Sequence, residues 1–220
     1  MPAPAKAAPA LLDFTPRRSA RAGFRRVQKA KALPPTRNAL IADYLALCEL
    51  DPEVEALRAP APAAFFELGD EVIEHVADFE VVREGTTMLV DVVTDDDLMR
   101  HPLRAAMIRG ATAADGRPFA FETAATIQAE PRFGTVRLIR ACKRTPVTAG
   151  DRVRILHQLD ETGTMRLVDC AGMAMNAADG VAAVLALACE GLVAVEIDRP
   201  ILPETRVRRR KLAYSDPFDF

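Results

Sequence analysis

The sequence predicts a mixed α/β fold: a sheet with flanking helices up to about residue 145, followed by a small helical unit that ends in a β-wing. Three observations carry this reading. Two short apolar runs, Phe79-Glu80-Val81-Val82 and Met88-Leu89-Val90-Asp91-Val92-Val93, flank Glu84-Gly85 in the manner of a β-hairpin. A helical apolar face (Leu40, Ile41, Tyr44, Leu45, Leu47, Cys48) precedes the hairpin, and the strand-like Phe119-Ala120-Phe121-Glu122-Thr123 follows it. Past Pro146, three helical stretches lead into Leu192-Val193-Ala194-Val195-Glu196-Ile197, which alternates like a strand.

Taken in order, residues 1–32 are rich in Pro and Ala without an apolar period, and predict a flexible basic arm. The first helix follows Pro34-Pro35-Thr36 and ends at Asp51-Pro52. Val54 and Leu57 lead into a Pro/Ala loop at residues 59–64. Phe65-Phe66-Glu67-Leu68, Gly69-Asp70 and Val72-Ile73-Glu74-His75 then predict a further strand or hairpin. Residues 98–109 have helical spacing with Pro102 near the start. The turn at Asp115-Gly116 introduces the strand at Phe119, and a short helical turn at Thr126-Ile127-Gln128 comes after it.

Within the hairpin, one carboxylate opens the first strand (Asp78) and a second lies inside the other (Asp91). A charge in a strand that is otherwise Leu-Val-Val is costly to bury unless something pairs with it. A divalent metal held between the two carboxylates is one solution, used by PD-(D/E)xK nucleases. A strand face that turns to water at Asp91 is the other.

Composition narrows the class. Half of the 220 residues are hydrophobic, no run reaches transmembrane length, and the net charge is −2. The opening MPAPAKAAPA has neither the apolar core nor the cleavage pattern of a signal peptide, which predicts an intracellular, cytoplasmic protein. Cys48, Cys142, Cys170 and Cys189 lack CxxC spacing and sit among apolar residues, as buried thiols do.

The small net charge conceals a segregation along the chain. Residues 1–33 hold Lys6, Arg17, Arg18, Arg21, Arg25, Arg26, Lys29 and Lys31 against one acid, Asp13, whereas residues 43–97 are strongly acidic. A second basic block, Arg206, Arg208, Arg209, Arg210 and Lys211, stands near the end. Basic arms on either side of a folded body commonly contact phosphates, so these residues are candidate DNA contacts.

In the second unit, residues 151–159, 164–173 and 176–189 read as helices, and with the strand after them they describe a winged helix over residues 146–205. The third helix has no basic or amide side chain to read a base edge, which predicts a docking module rather than a sequence reader.

The sequence His75-Val76-Ala77-Asp78-Phe79-Glu80-Val81-Val82, the glycine turn and Leu89-Val90-Asp91-Val92-Val93 together resemble the metal-binding core of TnsA, the endonuclease subunit of heteromeric transposases. The first helix, closing on Asp51-Pro52-Glu53-Val54, and the later FAFETAATIQAEPRF resemble further pieces of that family, over roughly residues 17–205. The resemblance implies a restriction-endonuclease-like domain at residues 33–145, a winged-helix domain after it, and catalytic, metal-binding roles for Asp78 and Asp91. The family's lysine, two residues beyond the second acid, is replaced by Val93. Its helix glutamate should fall within Arg37-Asn38-Ala39-Leu40-Ile41-Ala42, where no acid stands.

Without the lysine, nothing orients the attacking water or stabilises charge developing on the phosphate. Arg100, His101 and Arg104 are the nearest candidate replacements, and Asp95-Asp96-Asp97 reads as an acidic helix start. The resemblance therefore implies a DNA-binding or assembly subunit with a nuclease fold and weak or absent Mg²⁺ binding. The alternative is an active Mg²⁺-dependent endonuclease with migrated catalytic residues that cuts transposon ends. Implied partners are DNA, an integrase-like transposase and an AAA+ ATPase. The tail carries Phe218 and Phe220, an aromatic pair suited to anchoring on a partner.

Overall fold

The computed structural model describes residues 25–26, 39–61, 63–68, 71–102, 105–106, 108–110 and 116–210. A five-stranded mixed sheet is its frame. Its strands are β1 (Arg25–Arg26), β2 (Val54–Arg58), β5 (Phe79–Arg83), β6 (Thr86–Val92) and β7 (Phe119–Glu122), adjacent in that order. All neighbours are antiparallel except β6 and β7, which are parallel, with Asp91 opposite Phe121. Between β2 and β5 the chain forms a separate antiparallel hairpin, β3 (Ala64–Leu68) and β4 (Glu71–His75).

Two features differ from expectation here. Residues 54–58 form a sheet strand instead of leading directly into a loop, because pairing with β5 supplies the ladder that a short Val-Glu-Ala-Leu-Arg segment cannot supply by itself. Within the predicted arm, Arg25 and Arg26 add to the free edge of β2, opposite Leu57 and Ala56. The rest of that arm lies outside the described residues.

Helix α1 (Ala39–Leu50) packs on one face of the sheet, where Tyr44 meets Phe79 at 5.4 Å between ring centroids. Val81, Val90 and Val92 share that face. Helix α2 begins at Asp95, so the acids occupy its first turn, where the helix dipole favours them. After β7 come the single turn α3 (Ala124–Ile127) and α4 (Arg132–Ala141), which tightens into a 3₁₀ turn (Cys142–Arg144).

The C-terminal segment runs α5 (Ala149–Thr162), β8 (Thr164–Arg166), α6 (Leu167–Ala171), α7 (Gly180–Cys189), β9 (Val193–Val195) and β10 (Arg206–Arg209). Residues 164–173 are thus a strand followed by a short helix, not one helix. Gly163, at φ 75°, ends α5 and turns the chain so that Met165 pairs with Val207. The third helix starts at Gly180, capped by Asp179, and not at Asn176, whose backbone N–H is drawn to Asp151. β10, expected to be a DNA-contacting basic block beyond the winged-helix unit, is the central strand between β8 and β9.

In α7 the residues from Ala183 to Cys189 are all buried, as an all-apolar helix requires. It packs against α1, α4 and the 3₁₀ turn. One hydrophobic core therefore runs from Tyr44 and Phe79 through Ile139 to Leu187 and Val207, continuous across residue 146. No described helix is long and apolar enough to cross a membrane.

Candidate functional site

The β5–β6 turn places both central residues at positive φ, Glu84 at 47° and Gly85 at 73°, as in a type I′ hairpin whose twist matches the strands. That turn fixes the register Phe79 opposite Val90, and continuing it brings Asp78 beside Asp91. The proximity expected from sequence is therefore present. The Asp78 backbone N–H donates to Asp91 Oδ1 at 2.9 Å, and the Val92 N–H donates to Asp78 Oδ2 at 3.1 Å. Each carboxylate clamps the backbone of the opposite strand just where regular pairing ends.

Asp91 does not turn to water, as one reading of the strand allowed. It is 6 % exposed, with His75 Nε2 of β4 at 3.0 Å from its Oδ2. The approach is off the ring N–H direction, so this is an electrostatic contact and not a hydrogen bond. His75 also lies edge-on to Phe119, which in turn lies edge-on to Phe121, and the Arg109 guanidinium sits 5.1 Å above Phe121. Leu89, Ala77 and Ala61 close this face. A second ion pair, Arg58 with Glu80 at 3.4 Å, is half-sunk on β2 and β5.

Strand alternation places Asp91 on the face opposite to Val90 and Val92, and hence opposite to α1. The first acid on α1 is Asp43, whose Oδ2 accepts from Gln128 Nε2 at 2.9 Å in an exposed contact. Glu122, at the end of β7, lies near enough to Tyr44 to help keep its hydroxyl neutral, after burial, which is the larger cause.

Both aspartates are engaged with protein donors. Among the described residues no group of three or more His, Cys, Asp or Glu side chains is arranged to hold a metal ion.

No protein-family model matches this sequence, and no curated protein matches it either.

The basic segments divide sharply. Arg206 and Arg208 are exposed on either side of the fully buried Val207. Arg209 and Arg210, expected to contact phosphates, also bind carbonyls of the protein's own body. Arg209 Nη1 donates to the Leu192 carbonyl at 3.2 Å, and its Nε lies 3.5 Å from Asp160. Arg210 donates to the carbonyls of Glu49 (2.8 Å), Asp51 (3.1 Å) and Val54 (3.2 Å), closing the C-terminal end of α1. Beside it, the Asp51 carboxylate is 3 % exposed and accepts from Arg83, Arg132 and the Glu53 N–H.

Lys6, Arg17, Arg18, Arg21, Lys29, Lys31, Arg104, Lys211, Phe218 and Phe220 lie outside the described residues, as do the side chains of Arg25 and Arg26. Of the other candidate replacements for the lysine, Arg100 pairs with Asp96 at 3.4 Å on the surface and His101 is half-buried. The four cysteines are free, as expected, three of them buried. Burial pushes the Cys48 thiol up to about 12 and those of Cys170 and Cys189 up to about 11, so they are inert at neutral pH.

His75 is the neighbour that the sequence reading did not assign to the site, and a lone histidine three residues ahead of Asp78 was its available signal.

Proposed function

We propose that this chain is a DNA-binding assembly subunit of a TnsA-like transposition system. It combines a restriction-endonuclease-like domain with a winged-helix domain, and its nuclease fold has lost the cutting chemistry. The observation that carries the proposal is the state of the hairpin acids: Asp78 and Asp91 clamp each other's strands by accepting backbone N–H groups, and Val93 follows where a nuclease needs a cation. Each aspartate already spends one oxygen on a main-chain N–H, so fewer of its lone pairs remain for Mg²⁺.

The winged-helix reading is supported by the chain order helix, strand, helix, helix, strand, strand, with β10 between β8 and β9. Because α7 is buried from Ala183 to Cys189 and carries no basic or amide side chain, this unit docks; it does not read sequence through its third helix. On this reading the partners are duplex DNA, an integrase-like transposase and an AAA+ ATPase, with the Phe218 and Phe220 tail as the segment that anchors to a partner.

The test is a plasmid assay joined to a binding series. The purified full-length chain leaves supercoiled plasmid intact in Mg²⁺ or Mn²⁺, yet binds duplex DNA with an affinity that falls steeply as salt rises. Mn²⁺-dependent nicking that disappears in Asp78→Ala would overturn the inactive reading in favour of an endonuclease.

A further inference from the structure

Most arginines of the folded body have a carboxylate partner: Arg58, Arg83, Arg132, Arg152, Arg154, Arg166, Arg199 and Arg209 all do. Beyond Arg132, the rest of α4 and the turn after it break the pattern. Arg137 and Arg140 on α4, with Lys143 and Arg144 on the 3₁₀ turn that continues it, are all exposed. Among the described residues none of the four forms an ion pair, and Arg137 sits over the Phe133 ring at 5.8 Å. Residues 131–150 contain no acid at all, in a chain whose 31 acids outnumber its 29 bases. The opposite side of the same helix, Thr135, Val136 and Ile139, is buried in the core.

We infer that this surface is a phosphate-backbone contact for duplex DNA, separate from the N-terminal arm and from Arg206 and Arg208; the inference rests on the DNA-binding reading above. Spacing supports it. Arg137, Arg140 and Arg144 recur at helical intervals, so they line one side over about 10 Å at 1.5 Å per residue. A duplex presents one charge per roughly 1.7 Å of axis, or about six over that length. The helix dipole welcomes cations in the last turn, but that accounts for Lys143 and Arg144 better than for Arg137, nearer the middle of α4. A membrane surface is a poorer fit, since an interfacial helix inserts its apolar face and that of α4 is already covered by protein. Arginine suits phosphate particularly well, through its planar fork of donors.

The deciding experiment follows duplex binding by fluorescence anisotropy across a salt series. It uses the full chain and the quadruple variant Arg137→Gln/Arg140→Gln/Lys143→Gln/Arg144→Gln. The variant keeps its melting temperature, because all four side chains are exposed and none is in an ion pair. Its log affinity against log salt flattens by about 3 to 4 units of slope, at about 0.9 for each phosphate no longer neutralised. A companion with lysine at positions 137, 140 and 144 retains the wild-type slope. If the wild type binds and the glutamine variant shows the same slope, the surface is not a DNA contact, while the wider reading stands. A wild type that binds no duplex at any salt overturns both. Should the glutamine variant lose binding only to phosphatidylserine vesicles, the surface faces a membrane and the inference is wrong.

Discussion

Asp151 and Asp91 are both buried aspartates, and the protein accommodates them in different ways. Asp151, at 0 % exposure in the first turn of α5, is enclosed by donors. The Thr148 hydroxyl reaches it at 2.9 Å, the Asn176 backbone N–H and side-chain amide at 3.2 Å, and the Arg154 guanidinium completes the set. Asp91 accepts one backbone N–H and faces an imidazole that gives it no well-directed hydrogen bond. The first arrangement ties α5 to the loop ahead of α7 and leaves no room for chemistry. The second closes a hairpin with the same residue type that a nuclease would place there for catalysis. A carboxylate inside a strand is thus ambiguous until its donors are known.

Breaking the better-satisfied site has the larger effect. Asp151→Ala leaves the Asn176 donors and the Arg154 cation without their acceptor, and the melting temperature should fall by on the order of 10 °C in a thermal scan. Burial alone would raise the Asp151 carboxyl, but hydrogen bonds from Thr148, Asn176 and Arg154 more than offset it, so it titrates below its ordinary value. The folded-state value is the lower one, so this stability is fully present above the unfolded value near 4 and is lost as pH falls through the folded one. Asp151→Asn should therefore flatten the loss of stability below about pH 4. An equally steep acid limb in the variant would place the titrating group elsewhere.

Removing Asp91 has an intermediate effect. Asp91→Ala strands the Asp78 N–H and removes the carboxylate beside His75, at a cost of about 1–3 kcal/mol by urea unfolding. His75→Ala alone should cost less, because the hairpin keeps its backbone bond. A double-mutant cycle that returns no coupling between the two would show that the 3.0 Å approach contributes nothing.

What could be read in advance follows from how local each signal is. Helix α1, the β5–β6 hairpin and the pairing of Asp78 with Asp91 are written within short windows by apolar spacing and a glycine turn, and all three are present. β8 and β10 are not: Thr164-Met165-Arg166 and Arg206-Val207-Arg208-Arg209 gain strand character only by pairing with each other. The one local trace of β10 was the alternation of arginine around Val207. Likewise, nothing in the residues around His75 shows that a detached hairpin lays its ring over Asp91, since that contact depends on how two sheets pack. Nor does a run of arginines show which carbonyls it reaches, as Arg209 and Arg210 do.

The smallest effect belongs to the turn itself, and it sharpens what the Asp78–Asp91 clamp does. A Cβ on Gly85 would meet nothing within 4 Å, so Gly85→Ala acts through the backbone alone, at φ 73°. Holding alanine in that left-handed region costs about 1 kcal/mol. Two devices could set the hairpin register: the type I′ turn at one end and the paired aspartates at the other. If both contribute, either can hold the strands when the other is weakened, and losing both costs more than the sum of the single losses. Gly85→Ala in the Asp91→Ala background should then cost clearly more than about 1 kcal/mol in urea unfolding. Strict additivity would mean that the turn alone sets the register and that the aspartates only satisfy the strand ends they touch.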